Sequence, residues 1–274
     1  MQGLLATLYI PAPDNACLYE RWCDASHRLS GLFHIGIVTD KPRTLCAPTI
    51  IPSDDATILY RNRSRPPESK SITSKAFSFI NLLKWELIKK TQYDFVLFSD
   101  LDVDLLFYNS DVQWEKAFAR NFPSFLNGNK SLLANRDHSS PVNGGLWIVK
   151  PSMKDYRKGL EALRRPFNLS HGFLGVPSTM PPHLRDNSKF FRENTWDFVG
   201  GNSDQGLLTA IFFLTGRTTL PVHKFFVRHF WAKSTPWLKK NCKRYFEVTT
   251  KHSARCKPFS LISDKCGGVR MSIF

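Results

Sequence analysis

The stretch "FVLFSDLDVDLL", residues 95–106, places three aspartates directly after a short apolar run. The run 95–99 (FVLFS) has the length and composition of a strand that is buried on both faces. Asp100 and Asp102 follow the carboxyl end of this strand. In open sheets of parallel strands, ligands bind beyond the carboxyl ends. The stretch therefore predicts a buried strand with a ligand site at its end.

The rest of the chain alternates short apolar runs with longer segments of helical period. Unbroken apolar strands of this kind predict a largely parallel sheet covered by helices on both faces, in an α/β fold. We expect one domain over residues 1–274, in which the proline-rich segment 165–202 is an inserted loop or an acceptor lobe. The candidate strands are 4–10, 34–39, 95–99, 145–149 and 224–230, and the candidate helices are 73–90, 111–120, 153–164 and 203–215.

The chain is strongly basic, with a net charge of +15 and a pI of about 9.7. Such a surplus favours a ligand that bears phosphate, an acidic glycan or a nucleic acid, although a solubilising surface is an alternative. No nucleic-acid-binding motif accompanies the basic clusters, so we expect no nucleic acid partner.

No apolar run approaches the roughly 18 residues that a transmembrane helix requires, and the first residues lack the basic start of a signal peptide. We therefore expect a cytoplasmic protein as the chain stands, or a Golgi-lumenal catalytic domain whose N-terminal anchor is missing. The oligomeric state stays open.

Six cysteines are present, and none has the spacing of zinc ligands. Their even number permits disulfides without requiring them. Three N-x-S sequons, at Asn62, Asn129 and Asn168, are close to the number expected by chance and do not define a compartment.

The pair Asp100-Leu101-Asp102 has the pattern of a metal site. Two carboxylates at the end of a buried strand can hold a divalent cation, which in turn bridges a diphosphate. Carboxylate oxygens suit Mn²⁺, with Mg²⁺ as a second possibility. The alternative interpretation is a polar turn, because a single D-x-D is common by chance.

The preceding helix carries a lysine within its apolar arc. At about 100° per residue, Lys84 falls among apolar side chains, where an ammonium group is costly unless it meets an anion. A phosphate is a plausible partner, and a side chain that reaches past the helix to water is the alternative. The apolar arc comprises Ala76, Phe77, Ile80, Leu83, Leu87 and Ile88.

Three further stretches carry polar residues next to predicted elements. Asn143-Gly144-Gly145 precedes a strand, where paired glycines allow close approach of a ligand and an amide can bind sugar hydroxyls, or where the chain simply turns. Ser203 is a candidate N-cap, and Asp204 and Gln205 lie in the first helical turn, to bind sugar hydroxyls or to complement the helix dipole. His229 follows a strand and is either a metal ligand or structural.

Taken together and in this order, these stretches resemble glycosyltransferase family 8, the glycogenin-like retaining glycosyltransferases. The resemblance spans roughly residues 4–240. It rests on Lys84-Trp85, Asp100-Leu101-Asp102, Asn143-Gly144-Gly145 with Pro151-Ser152, Asp204-Gln205-Gly206, and His229-Phe230 through Pro236-Trp237, together with the first strand "ATLYI".

The resemblance implies a GT-A type fold and a UDP-sugar donor, whose nucleotide would lie against Thr7 and Leu8 of the first strand. It implies a Mn²⁺ ion held by Asp100, Asp102 and His229, and transfer with retention of anomeric configuration. The donor would also contact Lys84, Leu101, Asn143, Gly144 and Gly145, with Asp204 and Gln205 as the catalytic pair.

Four positions depart from the family pattern. Ala232 and Thr235 replace a glycine and a lysine in the segment after His229, and Lys233 is the candidate to replace the lysine. Gly144 stands where the family has Ser or Thr. Asp104, for its part, stands where the family usually has an apolar or small residue.

The sequence thus predicts a metal-dependent retaining hexosyltransferase that uses a UDP-sugar and a glycan, protein or small-molecule acceptor. A degenerate member that binds nucleotide-sugar or glycan without transfer is an alternative, motivated by Ala232 and Thr235. A nucleotidyltransferase is a further alternative, although the segment after the first strand lacks the glycine-rich loop it would need.

Overall fold

The structure is a computed structural model and describes residues 2–11, 16–62, 69, 75–105, 122–136, 140–174, 195–219 and 228–229. The strands are β1 (Gly3–Leu8), β2 (His34–Val38), β3 (Thr49–Ile50), β4 (Phe95–Ser99), β5 (Val103–Asp104), β6 (Leu132–Ala134), β7 (Leu146–Val149), β8 (Thr218–Thr219) and β9 (Arg228–His229). The helices are α1 (Ala16–Arg28), α2 (Asp54–Arg61), α3 (Lys75–Leu82) with a 3₁₀ helix (Leu83–Lys89), α4 (122–127), α5 (Met153–Arg164) and α6 (Asp204–Leu208) with a π-helical turn (Thr209–Phe213).

Seven strands form one sheet in the order β3-β2-β1-β4-β7-β6-β8. The pairs β1–β2, β1–β4, β2–β3 and β6–β8 are parallel, whereas β7 runs antiparallel to both of its neighbours. The prediction of an α/β fold with a mostly parallel sheet is confirmed.

The strand order reverses between β1 and β4. From β1 the chain proceeds outward through β2 to β3, and then returns to place β4 on the other side of β1. Loops that leave two adjacent parallel strands in opposite directions open a crevice at their carboxyl ends, which is where ligands bind in open α/β sheets. The crevice here lies beyond Leu8 of β1 and Ser99 of β4.

The reversed direction of β7 brings its start to the same edge. Leu146 pairs with Ser99, and Val149 pairs with Val96, so β7 enters the sheet where β4 leaves it. The Asn143-Gly144-Gly145 stretch therefore lies beside Asp100.

Two hydrophobic clusters cover the two faces of the sheet, as the alternation of side chains along a strand requires. Leu4, Ala6 and Leu8 point to the face that α2, the 3₁₀ helix, α5 and α6 cover. Leu5 and Tyr9 point to the opposite face, where α1 and α4 pack. The helices on both faces explain why residues 95–98 of β4 are all apolar.

The positions of several elements agree with the sequence prediction. The strands predicted at 34–39, 95–99 and 145–149 and the helix at 153–164 coincide with β2, β4, β7 and α5 within a residue. The structure adds α1, α2, β3, β6 and β8, which the apolar pattern did not reveal. The predicted helix at 111–120 lies outside the described residues.

Two predicted helices are present but are not α-helical throughout. In the segment predicted at 73–90, the described helix has two parts, an α-helix over Lys75–Leu82 and a 3₁₀ helix over Leu83–Lys89. Its apolar arc is also incorrect at the start, since Phe77 is 49% exposed, whereas every residue from Leu82 to Ile88 is buried. The segment 203–215 becomes π-helical after Leu208.

The last predicted strand, 224–230, is described only at β9. It pairs antiparallel with β5 as a separate two-stranded sheet and does not extend the central sheet. Cys23 and Cys46 form a disulfide that ties α1 to the segment between β2 and β3. Within the described ranges, no helix combines the length and the apolar character needed to cross a bilayer.

Candidate active site

Asp100 and Asp102 lie in a turn at the carboxyl end of β4. The backbone N–H of Asp100 donates to the carbonyl of Gly145 at 2.7 Å, and the N–H of Val103 donates back to the carbonyl of Asp100 at 3.1 Å. The Asp100 side chain is 33% exposed, and that of Asp102 is partly buried. Both carboxylates therefore lie at the surface of the crevice, on a backbone fixed by the start of β7.

Lys84 is the buried charge behind these acids. Its Nζ lies 3.1 Å from Asp100 Oδ1, and it donates to Asp204 Oδ2 at 3.0 Å and to the Gly144 carbonyl at 3.1 Å. The side chain is 3% exposed, so the alternative in which Lys84 reaches past the helix to water is wrong. The anions that the buried Lys84 meets are two carboxylates of the protein itself, and a phosphate partner stays a prediction.

Electrostatics keep this lysine charged. Burial alone lowers the pKa of Lys84, but the carboxylates of Asp100 and Asp204 together outweigh burial, so the pKa of Lys84 lies above its ordinary value. The Phe98 ring lies 4.9 Å from Nζ and adds a cation–π contact. One lysine against two aspartates leaves this cluster with a net negative charge, in a chain whose overall charge is +15.

Asp204 lies at the start of α6 and is 7% exposed. Ser203 occupies the N-cap position as predicted, but its side chain makes no capping bond; its hydroxyl lies 3.3 Å from the Ser78 carbonyl and 3.4 Å from Asp204 Oδ1. The Asp204 carboxylate turns to Lys84 instead of serving only the helix dipole. Helix α6 therefore delivers an acid to the crevice.

Steric crowding explains why position 144 is a glycine. A Cβ added to Gly144 would overlap the Asp204 carboxylate and approach the Gln205 Cγ. Serine or threonine at this position would therefore displace Asp204 from Lys84. The departure from the family pattern at Gly144 thus accompanies the close approach of α6 to the start of β7.

Gln205 lies beside Asp204 and is partly buried. Its Cγ packs against Gly144 and Gly200. Gly200 has a φ of 74°, which favours glycine, and its carbonyl accepts from the N–H groups of Ser203 and Gly206. This turn sets the direction in which α6 starts and so places Gln205 next to the Asn-Gly-Gly stretch.

Asn143 and Gly145 shape the entry into β7. The Asn143 side chain is buried at 2% exposure, and its Oδ1 accepts the N–H of Gly145 at 2.7 Å. Its backbone N–H donates to the Asn135 carbonyl at 2.8 Å. The described contacts of Asn143 are therefore those of a turn, and its predicted contact with sugar hydroxyls stays a prediction.

Thr7 and Leu8 lie at the end of β1, on the other side of the crevice. Thr7 is fully buried, and its hydroxyl makes no hydrogen bond within the described part of the protein. Leu8 is 9% exposed on the opposite face of the sheet. A buried hydroxyl without a partner is costly, so the carboxyl end of β1 offers a polar group to a ligand.

Leu101, between the two aspartates, is partly buried and packs on the cluster that includes α1. The same side of β4 carries an interaction that the sequence analysis missed. Trp22 Nε1 of α1 donates to Ser99 Oγ at 2.9 Å, and both residues are buried. The spacing of Leu18, Trp22, Ala25 and Leu29 is helical and could have revealed α1.

His229 is the third metal ligand that the resemblance implies, and backbone pairing places it next to the turn that carries Asp100 and Asp102. The β5–β9 pairing sets His229 opposite Val103, the residue after Asp102. The side chains of His229 and Asp104 are outside the described part of the structure. Among side chains that are described, no group of three or more His, Cys, Asp or Glu residues is arranged to bind a metal. Lys233 lies outside the described residues.

The donor set fits a hard divalent cation. Two carboxylates two residues apart, in a cluster of net negative charge at a sheet edge, provide the oxygen ligands that Mn²⁺ and Mg²⁺ prefer. The pairing of β9 with β5 sets the backbone of His229 opposite Val103, next to this turn.

No protein-family model matches the chain, and a search of curated protein sequences gives no significant match. Solved structures with an overall likeness to it are glycosyltransferases. GlyE of Streptococcus pneumoniae TIGR4 gives a TM-score of 0.45 at 11% identity, over 89% of this chain and 60% of GlyE, so the chain spans less than two thirds of GlyE. A glycosyltransferase involved in glycosylation of the major capsid of PBCV-1 gives a TM-score of 0.43 at 11% identity, over 89% of this chain and 100% of that protein. The galactosyltransferase LgtC, in complex with donor and acceptor sugar analogs, gives a TM-score of 0.38 at 12% identity, over 97% of this chain and 99% of LgtC.

Proposed function

We propose that this chain is a metal-dependent retaining glycosyltransferase of the GT-A type, similar to family 8, that moves a hexose from a UDP-sugar to an acceptor. The acceptor class, whether glycan, protein or small molecule, is left open. The observation that carries the proposal is the position of Asp100 and Asp102. They lie at the carboxyl end of β4, at the point where the strand order reverses, in front of the Lys84–Asp204 ion pair.

The site residues would have two roles: some would bind the metal ion or the donor, and Lys84 positions the side chains of others. Asp100 and Asp102, with His229, would bind Mn²⁺ or Mg²⁺, and the bound ion would supply positive charge at the diphosphate leaving group. The hydroxyl of Thr7 and the backbone at Leu8 would contact the nucleotide. Lys84 holds the side chains of Asp100 and Asp204 in place, since its ammonium group contacts both carboxylates within 3.1 Å.

Asp204 and Gln205 are the residues that α6 delivers to the crevice. Asp204 is 7% exposed, with one oxygen held by Lys84. A fixed negative charge at this position would stabilise the positive charge that develops on the sugar ring as its bond to the diphosphate breaks. Gln205 would hold sugar hydroxyls, and Lys233 would contact the diphosphate. Retention of configuration is the stereochemical outcome that the resemblance to family 8 implies.

The test is release of UDP from a panel of UDP-sugars, measured with and without Mn²⁺. We expect one donor to be hydrolysed or transferred, with release that depends on the ion. Asp102→Asn should abolish release while the protein stays folded. The matched control is Glu161→Gln, which removes one negative charge from an exposed position on α5 and should leave release unchanged.

Two outcomes contradict parts of this proposal. Equal release by the Asp102→Asn variant and the wild-type protein would refute the metal assignment. Tight, Mn²⁺-dependent binding of UDP without turnover of any donor would identify a degenerate member that binds nucleotide-sugar, the alternative that Ala232 and Thr235 motivate.

The three aspartates should also differ in importance. We expect Asp100→Ala and Asp102→Ala to abolish transfer and Asp104→Ala only to weaken it. Asp104 belongs to β5, where its backbone pairs with Arg228, whereas Asp100 and Asp102 lie in the turn before that strand. An active Asp100→Ala protein beside a folded, inactive Asp104→Ala protein would show that the metal pair is Asp102 and Asp104.

A further inference from the structure

The short turn at 168–172 carries one of the three N-x-S sequons. It lies after α5, at the start of the segment 165–202. Asn168 and Ser170, the two residues that define the sequon, are both exposed, whereas Leu169 between them is partly buried. The side chains that an oligosaccharide-transferring enzyme must reach are thus on the surface, and a glycan attached there would not enter the core.

Backbone hydrogen bonds fix this turn. The Asn168 carbonyl accepts the N–H of Gly172 at 2.9 Å, and the Leu169 carbonyl accepts the N–H of Trp196 at 2.8 Å. Gly172 has a φ of 57°, and a Cβ there would overlap the Trp196 ring, so the turn is seated on a buried tryptophan. The sequon is therefore held at the surface by an ordered scaffold.

The Asn168 side chain takes part in this turn through its oxygen. Oδ1 accepts the N–H groups of Ser170 at 3.0 Å and His171 at 2.7 Å. A glycan is attached to Nδ2, so both hydrogen bonds to Oδ1 survive the modification. The folded turn is compatible with an occupied Asn168.

A second, independent observation concerns the compartment. The Cys23–Cys46 disulfide joins α1 to the segment before β3, with Cα atoms 6.1 Å apart, within the range that disulfides require. Disulfides of this structural kind persist in oxidising compartments and are rare in the reducing cytosol. The sequence alone left the compartment open, and the disulfide favours the secretory route, where N-glycosylation takes place.

Of the other two sequons, the one at Asn129 is less accessible, and the one at Asn62 is described only in part. Asn129 is exposed, but its partner Ser131 is partly buried, and the Ser131 N–H donates to the Arg217 carbonyl beside β8. Asn62 is exposed at the end of α2, but the serine of its sequon lies outside the described residues. Asn168 is the sequon whose acceptor and hydroxyl residues are both exposed in the described part of the chain.

We propose that Asn168 is an N-glycosylation site and that the chain matures in an oxidising compartment of the secretory pathway. The co-substrate is an oligosaccharide linked to a polyprenyl diphosphate. The Asn168 amide nitrogen forms a bond to C1 of the glycan and loses a proton, while the bond from C1 to the diphosphate oxygen breaks and the lipid diphosphate leaves. The proposal is independent of the glycosyltransferase function of the chain itself.

The experiment uses the full chain isolated from its own cells. Free thiols are alkylated before digestion without reductant, and the peptides are treated with peptide-N-glycosidase F in ¹⁸O-labelled water and mapped by mass spectrometry. We expect the peptide containing residue 168 to carry ¹⁸O-labelled aspartate, and Cys23 to be linked to Cys46. A residue 168 that is unmodified before treatment overturns the proposal, whatever the state of the cysteines.

Two variants of one residue separate the sequon from the turn. Ser170→Ala removes the hydroxyl that the transferring enzyme recognises and keeps the Ser170 N–H that bonds Asn168 Oδ1. Ser170→Thr restores a hydroxyl. We expect Ser170→Ala to lose the glycan at Asn168 completely and Ser170→Thr to retain it, at equal protein yield. A glycan that persists on residue 168 in Ser170→Ala, or that is lost in both variants, contradicts the assignment.

Discussion

Two buried charges lie two residues apart in the same 3₁₀ helix, and their surroundings differ. Lys84, 3% exposed, contacts Asp100 and Asp204 at the crevice. Glu86 is fully buried, and its Oε1 accepts from the hydroxyls of Tyr60 at 2.6 Å and Tyr156 at 2.9 Å. Its Oε2 lies 2.5 Å from Lys89 Nζ as an ion pair without hydrogen-bond alignment.

The difference shows that burial of a charge is not evidence for a site by itself. The partners of Glu86 come from α2, α5 and the same 3₁₀ helix, and its two tyrosine partners belong to one core cluster, so its network joins helices. The partners of Lys84 come from the ends of β4, the start of β7 and the start of α6, which meet at the sheet edge. Perturbed charges mark a site when they converge on a crevice, and structural networks perturb charges as well.

The largest effect is expected for Lys84→Met. Loss of the ammonium group removes the ion-pair contact that Asp100 and Asp204 share, and breaking a buried ion pair in this way costs about 3–5 kcal/mol of unfolding free energy. UDP release should be lost as well, because the two acids repel each other. Urea unfolding and the donor assay measure the two effects.

The control for this variant is Asp204→Asn, which keeps Lys84 paired with Asp100. We expect a smaller loss of stability but an equal loss of UDP release. If Lys84→Met lost stability but kept wild-type UDP release per folded molecule, Lys84 would belong with the structural charges.

Glu86→Gln should act on stability alone. The amide leaves Lys89 without its ion-pair partner and weakens two hydrogen bonds from tyrosines, which costs about 1–3 kcal/mol. UDP release per folded molecule should stay unchanged well below the melting temperature. A loss of turnover in a folded Glu86→Gln protein would show that the tyrosine network reaches the crevice, and the contrast with Lys84 would fail.

The same helix shows how far the sequence could lead. The apolar arc around Lys84 sufficed to predict a buried lysine that requires an anion, since an ammonium group cannot be buried alone. The identity of the anion could not be predicted, because Asp204 is 120 residues away and meets Lys84 only when α6 packs against the sheet. The local apolar pattern thus predicts that Lys84 is buried, whereas only the tertiary packing defines which carboxylate it contacts.

A similar limit applies to the fold. Strands such as β4 and β7 were predictable because each is an unbroken apolar run. Strands of two or three residues, such as β6 and β8, carry too little pattern and are defined by their neighbours in the sheet. The glycine at position 144 was visible as a departure from the family pattern, but its cause, the Asp204 carboxylate, required the structure.

A smaller effect is expected at the hydrogen bond between α1 and β4. Ser99→Ala leaves the Trp22 indole N–H buried without its acceptor, at a cost of about 1–2 kcal/mol. Because Ser99 immediately precedes Asp100, we also expect the variant to bind Mn²⁺ more weakly. The measurement is a higher Mn²⁺ concentration for half-maximal UDP release. The matched variant Ser99→Thr keeps a hydroxyl and should restore the ion dependence. Unchanged ion dependence in Ser99→Ala would limit the role of Trp22 to stability.

The smallest effect is expected at alkaline pH, where the tyrosines that donate to Glu86 should make the free energy of unfolding depend on pH. Burial, together with the nearby Glu86 carboxylate, raises the pKa of Tyr60 well above its ordinary value, and the pKa of Tyr156 is raised for the same reasons. A raised pKa means that the folded state holds the proton after the unfolded state has released it. The stabilisation is therefore complete below about pH 10 and falls above it, by up to about 1.4 kcal/mol per pH unit for each tyrosine.

Tyr60→Phe removes one of these protons and should flatten the decline between pH 10 and 11 relative to the wild-type protein. Lys84, whose pKa is also raised above its ordinary value of 10.5, begins to lose its stabilisation near that pH in both proteins alike, so the difference between the two curves isolates the tyrosine. Chemical unfolding midpoints at a series of pH values provide the measurement. Parallel curves would mean that Tyr60 does not titrate with unfolding, and that the Glu86 network stabilises the helices through its hydrogen bonds without a pH-dependent contribution.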